Sequence, residues 1–190
     1  MGAKGDAAKA KILSVSRKLF AKSGYSKVTM KEISLAANIS RGGLYRHYSS
    51  TEEIFSAIIE KDESDALEFL TGAVLEKVPA DLMFKTFLKL RIEMLLNPEE
   101  CIENAITEFA ANSEKGKELL IQRAVNSVQI LSEMIELGCA AGTFKCSNCK
   151  MASTMILWLL EGMCKHNALI PLTQAEKDET VEKILSIISP

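Results

Sequence analysis

Helical periodicity is the feature that most limits what this chain can fold into. Apolar residues recur at spacings of three and four along most of its length, and strongly alternating stretches are absent. Only 10 Gly and 4 Pro interrupt the pattern in 190 residues. The spacing therefore predicts an all-α protein. A first segment, 7–23, carries Ile12, Val15, Leu19 and Phe20 on one face and stops at Gly24, a residue suited to the left-handed position after a helix.

Capping signals then divide the next stretch finely. Thr29-Met30-Lys31-Glu32 has the form of a capping box, in which the Thr hydroxyl and the Glu carboxylate satisfy each other's backbone amides. It predicts a short helix ending near Ala37. Asn38 follows, and Asn tolerates a left-handed turn. Ser40 is placed to cap a second short helix, 41–47. A second box, Ser50-Thr51-Glu52-Glu53, opens a longer helix with Ile54, Phe55, Ile58 and Ile59 inward. Beyond it the pattern predicts helices near 81–96, 99–112, 115–141, 150–168 and 174–188. Pro79, Pro98 and Pro171 punctuate them, and Thr173 with Glu176 makes a third box.

Length allows one domain, or a small domain beside a medium one. No apolar run reaches the roughly 18–20 residues of a membrane span. The N-terminus is rich in Ala and Lys rather than apolar, so a cytoplasmic protein without a membrane segment is expected. The five cysteines, 101, 139, 146, 149 and 164, are an odd number and read as reduced thiols. The net charge of −2 hides an asymmetry: residues 1–50 hold ten Lys or Arg against two acidic residues, and the remainder holds 13 against 23. A basic first quarter on an acidic body suits a polyanionic partner. A merely solvated basic face is the competing reading.

Two short helices, a tight turn and basic charge make a candidate helix-turn-helix. Ile33, Ala36, Ile39 and Leu44 are expected to pack together. Arg41, Tyr45 and Arg46 then point outward from a helix of the width that enters the major groove. Arg can donate two hydrogen bonds to a guanine edge. Ser40 and the amides behind it can meet a phosphate. Each side chain has a plainer alternative: a surface charge for Arg41 and Arg46, partial burial against Ile33 for Tyr45, a dipole partner at a helix end for His47, a frayed helix for Gly42. Leu44 and Tyr48 read as packing residues.

Residues 20–54 resemble the TetR (tetracycline-repressor-like) family of regulators. Phe20, Gly24, Tyr25, Thr29, Ile33, Ala37, Ser40, Gly42, Leu44, Tyr45 and His47 stand where that pattern has them. Asn38 replaces a usual Gly, Ser34 a usual Ala, and Tyr48 a usual Phe. Thr51 stands where the family usually has a Lys on DNA phosphate. The resemblance implies a three-helix DNA-binding head, 1–50, on a C-terminal helical bundle, 51–190, about nine helices in all. It implies a double-stranded operator, a homodimer and a small-molecule effector as partners, with no cofactor. The DNA-facing set it implies is Lys27, Thr29, Ser40, Arg41, Gly42, Tyr45, Arg46, His47 and Thr51. Release of a repressor by its effector is that family's common habit.

The helix 81–96 holds more apolar residues than one stripe needs, so burial on more than one side is expected. Phe84, Phe87, Met94 and Phe109 are candidate walls of an effector pocket, with Arg91 an anchor for an anionic group. Ordinary core packing is the alternative for each. The helices 150–168 and 174–188 carry Met155, Ile156, Trp158, Leu159, Leu160, Ile184, Leu185, Ile187 and Ile188, and can pair with their copies as a four-helix bundle. Cys146-Ser147-Asn148-Cys149 is a CxxC, a weak metal candidate because a zinc site needs more ligands, and otherwise a thiol sensor or two free thiols. No phosphate-binding glycine loop, His-rich metal motif or nucleophile motif argues for an enzyme. A helical interaction protein that ignores DNA is the reading from another class.

Overall fold

The computed structural model describes residues 3–188, and among these it holds nine helices and no strand. They are α1 (Ala3–Ser23), α2 (Met30–Ala37), α3 (Arg41–Tyr45), α4 (Thr51–Leu75), α5 (Ala80–Leu96), α6 (Glu103–Asn112), α7 (Glu114–Ala140), α8 (Cys149–Asn167) and α9 (Gln174–Ile188). The expected all-α architecture is observed. None of these helices is long and apolar enough to cross a membrane.

Packing sorts the chain into two compact units, 1–62 with 98–121, and 63–97 with 122–190. The first is built on Ile12, Phe20, Ile33, Leu44, Ile54, Phe55 and Phe109, all essentially without solvent contact. Residues 51–62 join it because Ile54, Phe55, Ile58 and Ile59 give their apolar face to this core. Four rings bind it together. Phe20 meets Phe55 edge-on at 4.7 Å, and Tyr25 lies 4.7 Å from Phe109 and 5.1 Å from Phe55. Such ring pairs add about 0.5–1.5 kcal/mol each beyond their burial. Arg17, on α1, pairs with Asp62 and donates to the Glu100 carbonyl at 2.8 Å. That carbonyl is thereby engaged from outside its own segment. α6 starts at Glu103 and not at the expected 99, and Glu99 pairs with Lys18 at 2.9 Å.

The capping boxes at Thr29 and Thr173 form as expected. Glu32 accepts from the Thr29 amide and hydroxyl at 2.8 Å, and Glu176 accepts from the Thr173 amide at 2.8 Å. At α4 the box slips by one residue. Ser50 caps Glu53 at 3.1 Å, but Glu53 reaches back to the amide of Ser49 at 2.6 Å. These bonds hold three exposed carboxyls below their ordinary 4.5: Glu32 chiefly through the Thr29 hydroxyl, Glu53 and Glu176 chiefly through the amides of Ser49 and Thr173. A depressed folded pKa gives stability that is present above the unfolded value and fades as pH falls through the folded one. Thermal stability should therefore decline as pH drops below about 4.5. Melting curves of Glu32→Gln should show a shallower decline than the wild type over that window; an identical decline would remove Glu32 from this account.

The second unit packs α5 against α8 and α9, with α8 also against α9. Its core includes Met83, Phe84, Leu88, Ile92, Met134, Ile156 and Ile184. The expectation that α5 is buried on more than one side holds only in part. Phe84, Leu88, Ile92 and Leu95 are inward, whereas Leu82 and Leu90 are exposed, because one face of the helix suffices for α8 and α9. Lys85 and Glu182 pair between α5 and α9. After α7 the chain turns tightly, and the amides of Thr143 and Phe144 donate to the Gly138 carbonyl at 2.9 and 3.1 Å. A Cβ on Gly138 would fall within the Phe144 ring, which itself lies edge-on to Phe84 at 5.7 Å. Gly138→Ala should cost about 1–3 kcal/mol, as overpacking of a filled site does. Urea unfolding should show it as a lower midpoint.

Candidate DNA-binding head

α2, the turn and α3 are fixed by local bonds. Asn38 takes the left-handed conformation, φ 54°, and its amide donates to the carbonyls of Leu35 and Ser34. The Ile39 amide donates to Ser34 at 3.1 Å, which closes the end of α2. Ser40 then caps α3, its hydroxyl accepting from the Gly43 amide at 3.0 Å. Ile33, Ala37 and Leu44 are fully buried where the two helices meet. Sequence reading assigned Ala36 to this contact; Ala36 is exposed and Ala37 is inward. The difference is one position, i+4 rather than i+3 from Ile33.

α3 spans only five residues, shorter than the expected 41–47. Arg46 and His47 continue as a turn, their amides bonded to Gly42 and Leu44 at 3.3 and 2.9 Å. With Leu44 inward, Arg41, Gly42, Tyr45 and Arg46 are all exposed on the opposite face, Tyr45 by 49%. A Cβ on Gly42 would meet nothing within 4 Å, so this face is open to a close backbone approach. His47 is half-buried, and Tyr48 is buried as a packing residue.

The remaining residues of the set lie on other elements. Lys27 is exposed in the loop before α2. Thr29 is exposed too, but its hydroxyl is committed to Glu32. Thr51 is half-buried at the first position of α4, and the phenol of Tyr25 has its pKa raised, chiefly by burial. Leu35, passed over in the sequence, stands 70% exposed on α2. The inward period of Ile33 and Ala37 already leaves it outside.

Support for the α1–α2 turn comes from α6. Gly24 takes φ 78°, its amide donates to the Phe20 carbonyl at 2.9 Å, and a Cβ there would strike the Glu108 carboxylate. Glu108 also accepts from the Ser26 amide at 3.1 Å. Lys115 meets Glu52 at 2.9 Å beside the start of α4, and this contact raises the lysine pKa.

The residues expected to wall an effector pocket separate. Phe84 is fully buried in the core of the second unit. Phe87 is half-buried against Phe69 at 5.8 Å, and Arg91 and Met94 are half-buried on α5. Phe109 instead belongs to the ring cluster of the head unit, because α6 packs on α1. Sequence reading missed a groove of about 540 Å³ in the second unit. Leu67, Leu70, Val74 and Leu75 of α4 and Leu137 of α7 line it, with Glu133 and Glu136 beside them. Leu67, Leu70 and Val74 recur at three and four, which is the one signal the sequence offers for it. Among the described residues, no group of three or more His, Cys, Asp or Glu side chains is arranged to hold a metal.

A capped turn between two short packed helices, with two arginines and a tyrosine outward, defines a helix-turn-helix of the DNA-binding class. Residues 12–58 match the model of bacterial regulatory proteins of the tetR family. The HTH-type transcriptional regulator YfiR of Bacillus subtilis (strain 168) is 28% identical over 143 residues, 74% of this chain and 69% of its own length. The HTH-type transcriptional regulator QacR of Staphylococcus aureus (strain Mu50) is 41% identical over 56 residues, 30% of each chain. Beyond the head, a TetR-family regulator from Agrobacterium tumefaciens shares the fold, with TM-score 0.78 at 12% identity over 98% of this chain and all of that one. Residues 12–58 thus carry a helix-turn-helix of the tetR-family type, and the chain is similar to HTH-type transcriptional regulators.

Proposed function

We propose that this regulator binds an operator in double-stranded DNA as a homodimer, represses transcription there, and is released by a small-molecule effector. One observation carries the DNA reading: Arg41, Tyr45 and Arg46 share the exposed face of a capped α3 whose opposite side chain, Leu44, is locked in the core. Arg41 and Arg46 read base edges, Tyr45 meets a phosphate or a thymine methyl, and Lys27, Ser40, His47 and Gly42 set the approach to the backbone. Thr29 acts mainly by capping α2, and Thr51 at the start of α4 meets a phosphate. In function the chain divides into a reading head, 1–50, and an effector and dimer body, 51–190, with no enzymatic role.

The dimer reading rests on α8. Met151, Met155 and Trp158 stand at one-turn spacing, all three exposed, while Ile156 and Leu160 face the core. Ile187 of α9 is exposed as well. Two copies joined there present two heads to a two-fold operator. For the effector, the α4–α7 groove has the size of a small-molecule site, and Phe87, Arg91 and Met94 are half-buried in the same unit. The effector acts by shifting α4, whose first residue follows the head. Selection of duplexes from a random pool by the purified chain tests the DNA reading. It should enrich an inverted repeat with half-sites about one helical turn apart. A pool that stays random after several rounds would refute it.

A further inference from the structure

Glu108 is a carboxylate that the DNA reading leaves without a task. It lies half-buried on α6, in the same unit as the basic residues 1–50. A negative charge there works against a polyanionic partner. Its surroundings give it a different use. Gly24, at φ 78°, has no Cβ, and both carboxylate oxygens of Glu108 take up the space that one would fill. One of them accepts from the Ser26 amide at 3.1 Å. The next residue of α6, Phe109, holds the Tyr25 ring at 4.7 Å. Two consecutive side chains of α6 thus fix two consecutive residues of the α1–α2 loop. Val28 fixes the far side: it is buried, and its amide donates to the Tyr25 carbonyl at 3.3 Å. Exposed Lys27 stands between the two fixed points. Ser26 and Glu108 are 82 positions apart, so spacing in the sequence does not announce the contact.

We propose that Glu108 is a positioning residue for DNA binding: through the Ser26 amide it sets the backbone from which Lys27 reaches a phosphate. The inference rests on the approach to the DNA backbone already proposed for Lys27. The carboxylate acts through the loop and does not itself touch DNA. A loop held in place before DNA arrives loses less conformational freedom on binding. The hydrogen bond needs an oxygen acceptor and no charge, which Gln supplies and Ala does not. The charge itself repels phosphates, and salt screens that repulsion. The two effects of Glu108 on affinity therefore have opposite signs, and substitution separates them. Gly24 gains a second duty beside its left-handed turn, which is to leave room for the carboxylate.

The experiment uses the full chain, with fluorescence anisotropy on the selected duplex and on a random one across a salt series. Glu108→Ala should bind both roughly threefold to tenfold more weakly. Its salt slope should fall by about one per protomer, as in Lys27→Ala. Combining the two substitutions should weaken binding no further than Lys27→Ala alone. Glu108→Gln should bind at least as tightly as the wild type. Phe109 and its ring partners remain in each variant, so melting temperatures should barely move. Amide exchange of the free protein reads the bond without DNA: Ser26 should stay protected in Glu108→Gln and lose protection in Glu108→Ala. Additive losses, a Glu108→Ala variant that binds like the wild type, a Glu108→Gln variant as weak as Glu108→Ala, or an unprotected Ser26 in Glu108→Gln would each overturn the assignment. A Lys27→Ala variant that binds like the wild type would instead remove the lysine contact beneath it.

Discussion

Arg41→Ala combined with Arg46→Ala is expected to lose most of the affinity for the selected duplex while leaving the fold intact. Each base-reading arginine contributes roughly 1–3 kcal/mol. Loss of both therefore weakens binding about 30-fold or more, at about tenfold per 1.4 kcal/mol. α3 has five residues, and its outward face offers few side chains to share the task. Both arginines are exposed, so the melting temperature should barely move. Fluorescence anisotropy at fixed salt measures the loss. Lys27→Ala makes the contrast. It should weaken specific and random duplexes alike and lower the salt slope by about one per protomer. A double variant that binds like the wild type would mean that α3 is not the reading element.

The second large effect is expected at Trp158, which is 63% exposed in the middle of an apolar stripe. Trp158→Glu should convert the proposed dimer to a monomer in sedimentation at micromolar concentration. A central tryptophan is commonly worth 2 kcal/mol or more at an interface, and a carboxylate forced into its place adds a desolvation penalty (about 2–4 kcal/mol in all). Its neighbours Ile156 and Leu160 keep the core filled, so the monomer should stay folded. Affinity for an inverted repeat should fall towards that for one half-site. Trp158→Leu should be milder, because it keeps the surface apolar. A Glu variant that remains dimeric would move the interface off this stripe.

These effects depend on features that the sequence reveals unequally. Capping boxes at Thr29 and Thr173 are legible because both partners lie three residues apart and need nothing from elsewhere. The outward set on α3 is legible for the same reason: Ser40 fixes where the helix begins, and Leu44 fixes which face turns in. Ala36 and Ala37 are not distinguished by composition, since both are small, apolar and within a turn of Ile33; only the partner helix chooses. Phe109 illustrates the larger difficulty. An aromatic on an amphipathic helix announces burial but not which core receives it, and here α1 takes it. The α4–α7 groove is invisible for a related reason. It needs two elements distant in sequence to be brought side by side.

Hydroxyl-radical footprinting of the wild-type chain on the selected duplex tests the central claim most directly. The account predicts two protected patches on one face of the DNA, about one helical turn apart and related by two-fold symmetry, with the Arg41→Ala, Arg46→Ala variant losing both. Uniform protection along the duplex, or two patches that survive in that variant, would contradict it.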